Sequence, residues 1–476
     1  MNSTKNIFLL THLDYICSDS RVVPHAGLVI PGQILDAIGF DKAVNKSTPV
    51  TKEYKNSEIL KAMLICILCG NADYDSIHET DDDQEYYCNA MRMTKIPSEA
   101  TMRQRMDDMG ETLKDTLKPI LREATVNLFK YFNVNPTALE NGYVPVDIDV
   151  SPFINEKCHN EGISKTYKLK DGYAPIFAYI GTEGYLLACE LREGKQHCQK
   201  DTPAFLKEVI ELARKITDKP LLVRLDSGND AAENIGIFME KCYSGDSIHF
   251  IVKRNIRKEN PAEWLENFRE VCTNVSNPRE GKSVYIGETF RDVIYKVDNK
   301  DEEKTVGIRT IYEITERLSD HDGQCYVEPK VECNMYSVNV DFNDEEIIEL
   351  YHNHGEMEQF HSEIKTDMNC EQLPSGKFNT NELVLELIQL AYNMLRLIGQ
   401  TSLSLDDVSI PLKRPVKRRR LRTVLERVIM APGFIKNIFF HHTYIKYKFF
   451  HFTPTPLASG LVHLYFRYQV FPLKRQ

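Results

Sequence analysis

The chain has 476 residues, 42% hydrophobic and 27% charged, with 59 Lys+Arg against 69 Asp+Glu and a net charge of −10. That length gives about two to four domains and a sizeable core, and the composition is that of a soluble globular protein. It excludes a membrane protein, because no run reaches the ~18 apolar residues a span needs, and a disulfide scaffold, because the twelve cysteines are scattered.

The start, MNSTKNIFLLTHLDYICSDS, has a short apolar patch without the layout of a signal peptide, so a cytoplasmic location is expected. Residues 1 to about 45 read as an irregular or β-containing lead, with Pro24 and Pro31 as breakers. A helix is predicted from Ser57 to about Cys69, ended by Gly70. Cys66 and Cys69 form a lone CxxC in that apolar run. No second pair stands at zinc-ligand spacing, so they read as buried helix residues. The acidic, turn-rich GNADYDSIHETDDD follows. Ser98 then opens a helix with Met102, Met106 and Met109 on one face and Arg103 and Arg105 exposed. This element is either a helix-turn-helix that touches DNA or a helical packing hairpin. Residues 111–133 continue helical.

The middle of the chain alternates. YVPVDIDVS (143–151) reads as a strand, and 173–181 and 185–192 read as a hairpin about Gly181–Gly184. A helix over Thr202 to Ile216, a strand over 219–227, a helix over Ala231 to Cys242 and a strand over 248–255 complete the unit. Three antiparallel strands followed by right-handed crossovers fit this order, which is also that of the RNase H-like fold. Residues 259–345 read as a β-rich insertion with strand-like runs SVYIGETF, VIYKV, GIRTIYEIT and NMYSVNVDF. The only tryptophan, Trp264, lies at its start and reads as packing.

A charged helix is predicted over 346–365, and a long apolar one from Asn381 to about Gly399. The basic run KRPVKRRRLR (413–422) and the aromatic FFHHTYIKYKFFHF (439–452) close the chain. From Thr401 onward there are 14 Lys+Arg against 3 Asp+Glu. This basic end suits a phosphate backbone, and the acidic body suits cations.

Two-metal phosphoryl chemistry needs carboxylates around cations about 3.5–4 Å apart, and such groups gather at strand ends of open α/β sheets. Asp149 ends the first core strand and Asp226 the fourth, and these strands are expected to be neighbours. Asp147 has the same parity as Asp149, and the spacing alone does not separate them. Glu358 lies on the later helix, with Tyr351 seven residues before it and Lys365 seven after, near one face.

These residues carry a resemblance. Tyr351, His354, Glu358 and Lys365 match the spacing of the Tyr-Arg-Glu-Lys signature of bacterial insertion-sequence DDE transposases. HGEMEQ, DIDVSPF, RLDSGND and LIQLAYNMLR are similar to that family's thirteen-eighty group. His354 stands where the family has Arg, and Ser151 where it usually has Thr. The resemblance implies an RNase H-like catalytic core (141–258 and 346–400) interrupted by the insertion. A helical DNA-end-binding region (1–140) would precede it and a basic C-terminal region (401–476) follow. It favours Asp149 over Asp147, and it implies that Asp149, Asp226 and Glu358 bind two Mg²⁺, which Mn²⁺ can replace. The activity implied is cut-and-paste transposition on double-stranded DNA bearing terminal inverted repeats, by a DNA-bound homodimer. DNA contacts are expected from Tyr351, His354, Lys365 and Arg103, and from Lys413, Arg414, Lys417, Arg418, Arg419, Arg420 and Arg422. Alternatives are an RNase H-like nuclease without strand transfer and an inactive DNA-binding descendant.

Overall fold

A computed structural model describes residues 21–50, 53–156, 158–257, 259–297, 302–404, 415–438 and 447–451. After a short strand (Arg21–Val23) and a 3-10 turn (Ala26–Leu28), the described residues continue with α1 (Val29–Ala37), α2 (Phe40–Ser47), α3 (Asn56–Leu68), α4 (Gln84–Met91), α5 (Glu99–Thr112) and α6 (Lys114–Tyr131). The irregular or β-containing lead expected up to residue 45 does hold the strand Arg21–Val23, paired antiparallel with 433–435, but is helical from Val29 on. Pro31 does not break α1, because it sits in the first turn, where its missing N–H has no helical acceptor to lose. Every residue of α3 is buried, Cys66 included. Ser98 caps α5 by accepting the Thr101 N–H at 3.3 Å, and Met102, Met106 and Met109 are buried as the spacing predicts. Arg105, expected outside, turns inward, donating to the Tyr54 carbonyl at 3.1 Å and to Asn56 Oδ1 at 2.5 Å.

Strands β1 (Val144–Val150), β2 (Ile176–Ile180) and β3 (Tyr185–Glu190) form the antiparallel start. Helix α7 (Thr202–Arg214), β4 (Leu221–Leu225), α8 (Ala232–Tyr243) and β5 (Ile248–Lys253) follow. β1 pairs in parallel with β4, and β4 with β5. All five residues of β4 are buried, as an apolar strand in a parallel pair requires.

The 261–345 segment opens with a helix the sequence reading missed, α9 (Pro261–Phe268). Asn260 caps it and Pro261 fills its first position, a local signal that was present. Next come β6 (Asn274–Arg279), β7 (Lys282–Lys296), β8 (Glu303–Ser319) and β9 (Cys325–Val338). SVYIGETF and VIYKV are one continuous strand of 15 residues. Nor do these strands stand apart. Val338, Ser337 and Tyr336 of β9 pair antiparallel with Ile251, Val252 and Lys253 of β5, giving one nine-stranded sheet in the order β6-β7-β8-β9-β5-β4-β1-β2-β3.

The expected helix 346–365 is segmented: α10 (Asp344–His352), a 3-10 turn (Asn353–Glu356), α11 (Met357–Ser362) and a π-turn (Glu363–Asp367). Gly184 fixes its seat. A Cβ there would lie 2.2 Å from the Phe360 ring, so only glycine lets α11 pack on the β2–β3 turn. Helix α12 (Phe378–Ser404) runs through the core against α3, α5, α6 and β3, and the short α13 (Leu421–Val424) packs on it. Among the described residues, no helix is long and apolar enough to cross a membrane. The aromatic stretch 439–452 falls largely outside the described residues, which resume only at 447–451.

Candidate active site

The parallel register aligns Asp147 with Arg224 and Ile148 with Leu225. One residue further, Asp149 and Asp226 come abreast at the C-terminal ends of β1 and β4, on strands about 4.8 Å apart. The fold thus juxtaposes two carboxylates far apart in sequence.

It also separates Asp147 from Asp149. Asp147 is buried and takes a two-pronged contact from Arg224, Nε to Oδ1 at 2.6 Å and Nη2 to Oδ2 at 2.8 Å. His354 Nδ1 adds a third at 2.9 Å, and Arg224 also donates to the Leu350 carbonyl at 2.6 Å. Burial alone would raise this carboxyl; the Arg224 charge and the His354 hydrogen bond outweigh it and hold Asp147 at about 2. Its oxygens are occupied. Asp149 is half-buried and, among the described residues, its carboxylate meets His361, whose Nε2 lies 3.6 Å from Oδ2. Asp226 accepts from the Gly228 N–H at 3.1 Å and from Asn229 Nδ2 at 3.0 Å. Burial, and then the charge of Asp149, push the Asp226 carboxyl up. Among the described residues no lysine or arginine pairs with either carboxylate.

Helix α11 and its flanking turns lay a stripe of side chains alongside β1. His354 meets Asp147, His361 meets Asp149, and Lys365 Nζ donates to the Pro152 carbonyl at 2.7 Å. The stripe and the strand therefore advance in the same direction. Glu358 sits between His354 and His361, one turn from each, on that same face. Glu358 is exposed and, among the described residues, has no hydrogen-bond or ion-pair partner. Its neighbours differ. Glu356 faces Lys417 and Arg418, each at 3.7 Å, and Glu363 is buried against Arg396 and the Leu421 N–H. Asp149, Asp226 and Glu358 do not each bring an oxygen within 4.8 Å of the others.

Tyr351 packs against Tyr336 with the rings tilted at 45° and their centroids 4.7 Å apart, and Lys253 Nζ lies 6.0 Å from its ring centroid. Burial, and then Asp226 and Asp149, raise its hydroxyl. Burial lowers the Lys365 ammonium to about 8, with Lys168 acting the same way and Glu371 and Asp149 against it. His354 was expected to reach phosphate in place of the family's arginine. The structure instead buries it against Asp147, where it steadies the Arg224 pair.

The basic run is mostly turned onto the protein's own acids. Lys413 and Arg414 lie outside the described residues. Lys417 is exposed, while Arg418 covers the Phe360 ring at 4.5 Å and donates to Gln359 at 2.8 Å. Arg419 is buried, its Nε on Ser402 Oγ at 2.5 Å. Arg420 and Arg422 reach Asp367 at 2.8 and 3.6 Å and remain half-exposed. Arg103 is tied to Glu99 at 2.5 Å on the surface of α5. Trp264 packs on Phe268 at 5.1 Å, under the Arg254 guanidinium.

Four residues near the carboxylates escaped sequence reasoning: His361, Lys253, Tyr167 and Lys168. Tyr167 is 67% exposed in the loop between the short strands Ser164–Lys165 and Asp171–Tyr173. Its hydroxyl is pushed up to about 12 by partial burial and then by Asp149 and Asp226. The signal was one tyrosine set among three lysines in SKTYKLK.

An all-oxygen set of carboxylates, two of them side by side and without a cationic partner, is the donor chemistry that hard divalent cations take. The donor types fit such ions, while the three carboxylates are not all drawn within 4.8 Å of one another. A family model described as "Transposase DDE domain group 1" matches residues 17–410. No curated protein is matched. Among solved structures, the piggyBac transposase synaptic complex with hairpin DNA is similar at a TM-score of 0.41 and 10% identity, over 87% of this chain and 83% of that one.

Proposed function

The chain belongs to the transposase DDE family, and from that premise we propose that it cuts and joins DNA at the terminal inverted repeats of an insertion sequence. The observation that carries this reading is the pair Asp149 and Asp226 at adjacent strand ends, with no lysine or arginine partner among the described residues, and Glu358, likewise without a partner among them, on the facing stripe. The strand order β5-β4-β1-β2-β3, antiparallel on one side and parallel on the other, supports an RNase H-like core over 141–258 and 346–400. The thirteen-eighty group remains the proposed branch.

Bound divalent ions, two Mg²⁺ or Mn²⁺ in their place, supply Lewis-acid activation of the attacking hydroxyl and charge neutralisation at the leaving oxygen. Asp149, Asp226 and Glu358 would hold them. Arg224 and His354 fix Asp147, and so the end of β1, so that Asp149 is presented without being neutralised. Lys365 and Tyr351, with Lys253 beside it, line the strand ends and position the phosphate backbone. Tyr167 and Lys168 reach the same place from the opposite loop. Residues 1–140 bind the element ends in this reading, residues 401–476 add backbone contacts through Lys417, Arg420 and Arg422, and two chains pair the two ends.

The test is cleavage of donor DNA carrying the element's ends with Mg²⁺, wild type beside Asp226→Asn. Cutting by wild type alone is expected. Equal cutting by both would mean that the site is wrong, and binding without cutting by either would favour a DNA-binding descendant.

A further inference from the structure

The CxxC in α3 looked inert because no partner pair followed in sequence. The fold supplies partners of another kind. His25, Cys69 and Glu79 place one ligand atom each within 4.8 Å of one another. His25 Nε2 and Glu79 Oε2 are 3.6 Å apart, too far for a good hydrogen bond. A tetrahedral zinc, with bonds of roughly 2.0–2.3 Å, sets its ligand atoms at about that separation.

A second, independent feature is the way His25 is held. Its Nδ1 lies 2.8 Å from the Tyr87 hydroxyl, leaving Nε2 turned toward Cys69 and Glu79. Metal-ligating imidazoles are fixed through their other nitrogen in this way. Tyr86 Oη donates to the carbonyls of His25 and Ala26 at 3.0 and 2.7 Å, so the backbone is fixed too. Cys69 follows the C-terminal end of α3, where the helix dipole favours a cation. The segment is also wedged: a Cβ on Gly27 would lie 1.9 Å from the Val428 carbonyl oxygen.

We propose that His25, Cys69 and Glu79 form a zinc site, with water in the fourth position, that staples the segment entering α1 to the end of α3. The donor set of imidazole, thiolate and carboxylate suits zinc, whereas the carboxylates at the strand ends suit Mg²⁺. The two sites are distinct in chemistry and place.

The test uses the purified full chain, with zinc measured after gel filtration and Co²⁺ titrated as a spectroscopic probe in excess Mg²⁺. About one zinc per chain is expected, with a thiolate-to-cobalt charge-transfer band that an all-oxygen site cannot give. Cys69→Ala should lose the band, and Cys66→Ala should keep it. The exposed Glu79→Gln leaves folding intact and should weaken zinc binding at least tenfold. Tyr87→Phe should weaken it roughly 10–100-fold through the freed imidazole. Absence of the band in wild type, or its persistence in Cys69→Ala, would overturn the proposal, and so would unchanged zinc affinity in Glu79→Gln.

Discussion

The strand ends that carry Asp149 and Asp226 and the basic segment 415–422 are both dense in charge, and the fold treats them in opposite ways. At the strand ends, like charges are brought together and, among the described residues, given no lysine or arginine counter-ion. In the basic segment, Arg418, Arg419, Arg420 and Arg422 are each given a partner on α11, its π-turn or α12. Charge density in sequence looked like function in both. What distinguishes them is whether the protein itself satisfies the charge. An unsatisfied, partly buried carboxylate pair costs stability, and that cost is retained where a ligand is expected to relieve it.

The largest expected effect is at the strand ends. Asp149→Asn, Asp226→Asn and Glu358→Gln should each lower DNA cleavage by about 10³-fold or more, as removal of a metal-holding carboxylate removes several kcal/mol of charge stabilisation. Without metal, Asp226→Asn should melt no lower than wild type, because the substitution removes a like-charge repulsion. A melting point that falls sharply would mean that the hydrogen bonds from Gly228 and Asn229 to the carboxylate outweigh the repulsion.

Two residues away the sign reverses. Asp147→Asn leaves Arg224 buried without its counter-charge and should destabilise by about 3–5 kcal/mol. The pH dependence follows from the depressed carboxyl. Asp147 titrates at about 2 in the fold and near 3.9 when unfolded. Its contribution is therefore present above about pH 4 and lost as pH falls through 2, amounting to about 2–3 kcal/mol. Acid unfolding of wild type and Asp147→Asn, followed by circular dichroism, should converge as that range is crossed. Parallel curves would show that the Arg224 pair does not set the acid limit.

How much of this was legible follows the same division. Period-two and helical patterns placed β1, α7, β4, α8 and β5 within a few residues, and with them the neighbouring strands that carry Asp149 and Asp226. Those signals are local. Register is not local, and only register shows that Arg224 lies opposite Asp147 and leaves Asp149 open. The same limit explains Arg105 and Arg419, whose buried acceptors lie 49 and 17 residues away. It also explains why β9 could not be joined to β5 beforehand. The missed α9 is different, since its Asn-Pro start was written in the sequence and overshadowed by the strand-like runs beyond it.

The basic segment gives a smaller test of the contrast. Arg419→Ala should cost about 1–3 kcal/mol by leaving Ser402 and neighbouring groups unsatisfied, with little change in the salt dependence of DNA binding. Arg420→Ala should leave stability within about 1 kcal/mol and lower the salt slope by less than one phosphate contact, because Asp367 already competes for its charge. If Arg419→Ala weakens DNA binding at constant stability, the buried placement of that side chain does not describe the DNA-bound protein.

The smallest expected effect separates the strand-end lysine from the surface arginines by pH. Lys365 is charged below about 8 and loses its charge as pH rises through that value, because burial has lowered it from the usual lysine range. The unfolded chain keeps that charge to higher pH, so the group weighs against folding below about 8, and that cost fades as pH rises from there toward the free lysine value of about 10.4. DNA binding changes the other way. Between pH 7 and 9 the salt slope of DNA affinity should flatten by up to about 0.9, the worth of one phosphate contact. Lys365→Met should show the flatter slope at both pH values. Arginine contacts such as Arg420 titrate far above this range, so Arg420→Ala should lower both slopes equally and leave the pH-dependent step intact. A step that survives in Lys365→Met would assign it to another group and remove Lys365 from the phosphate path.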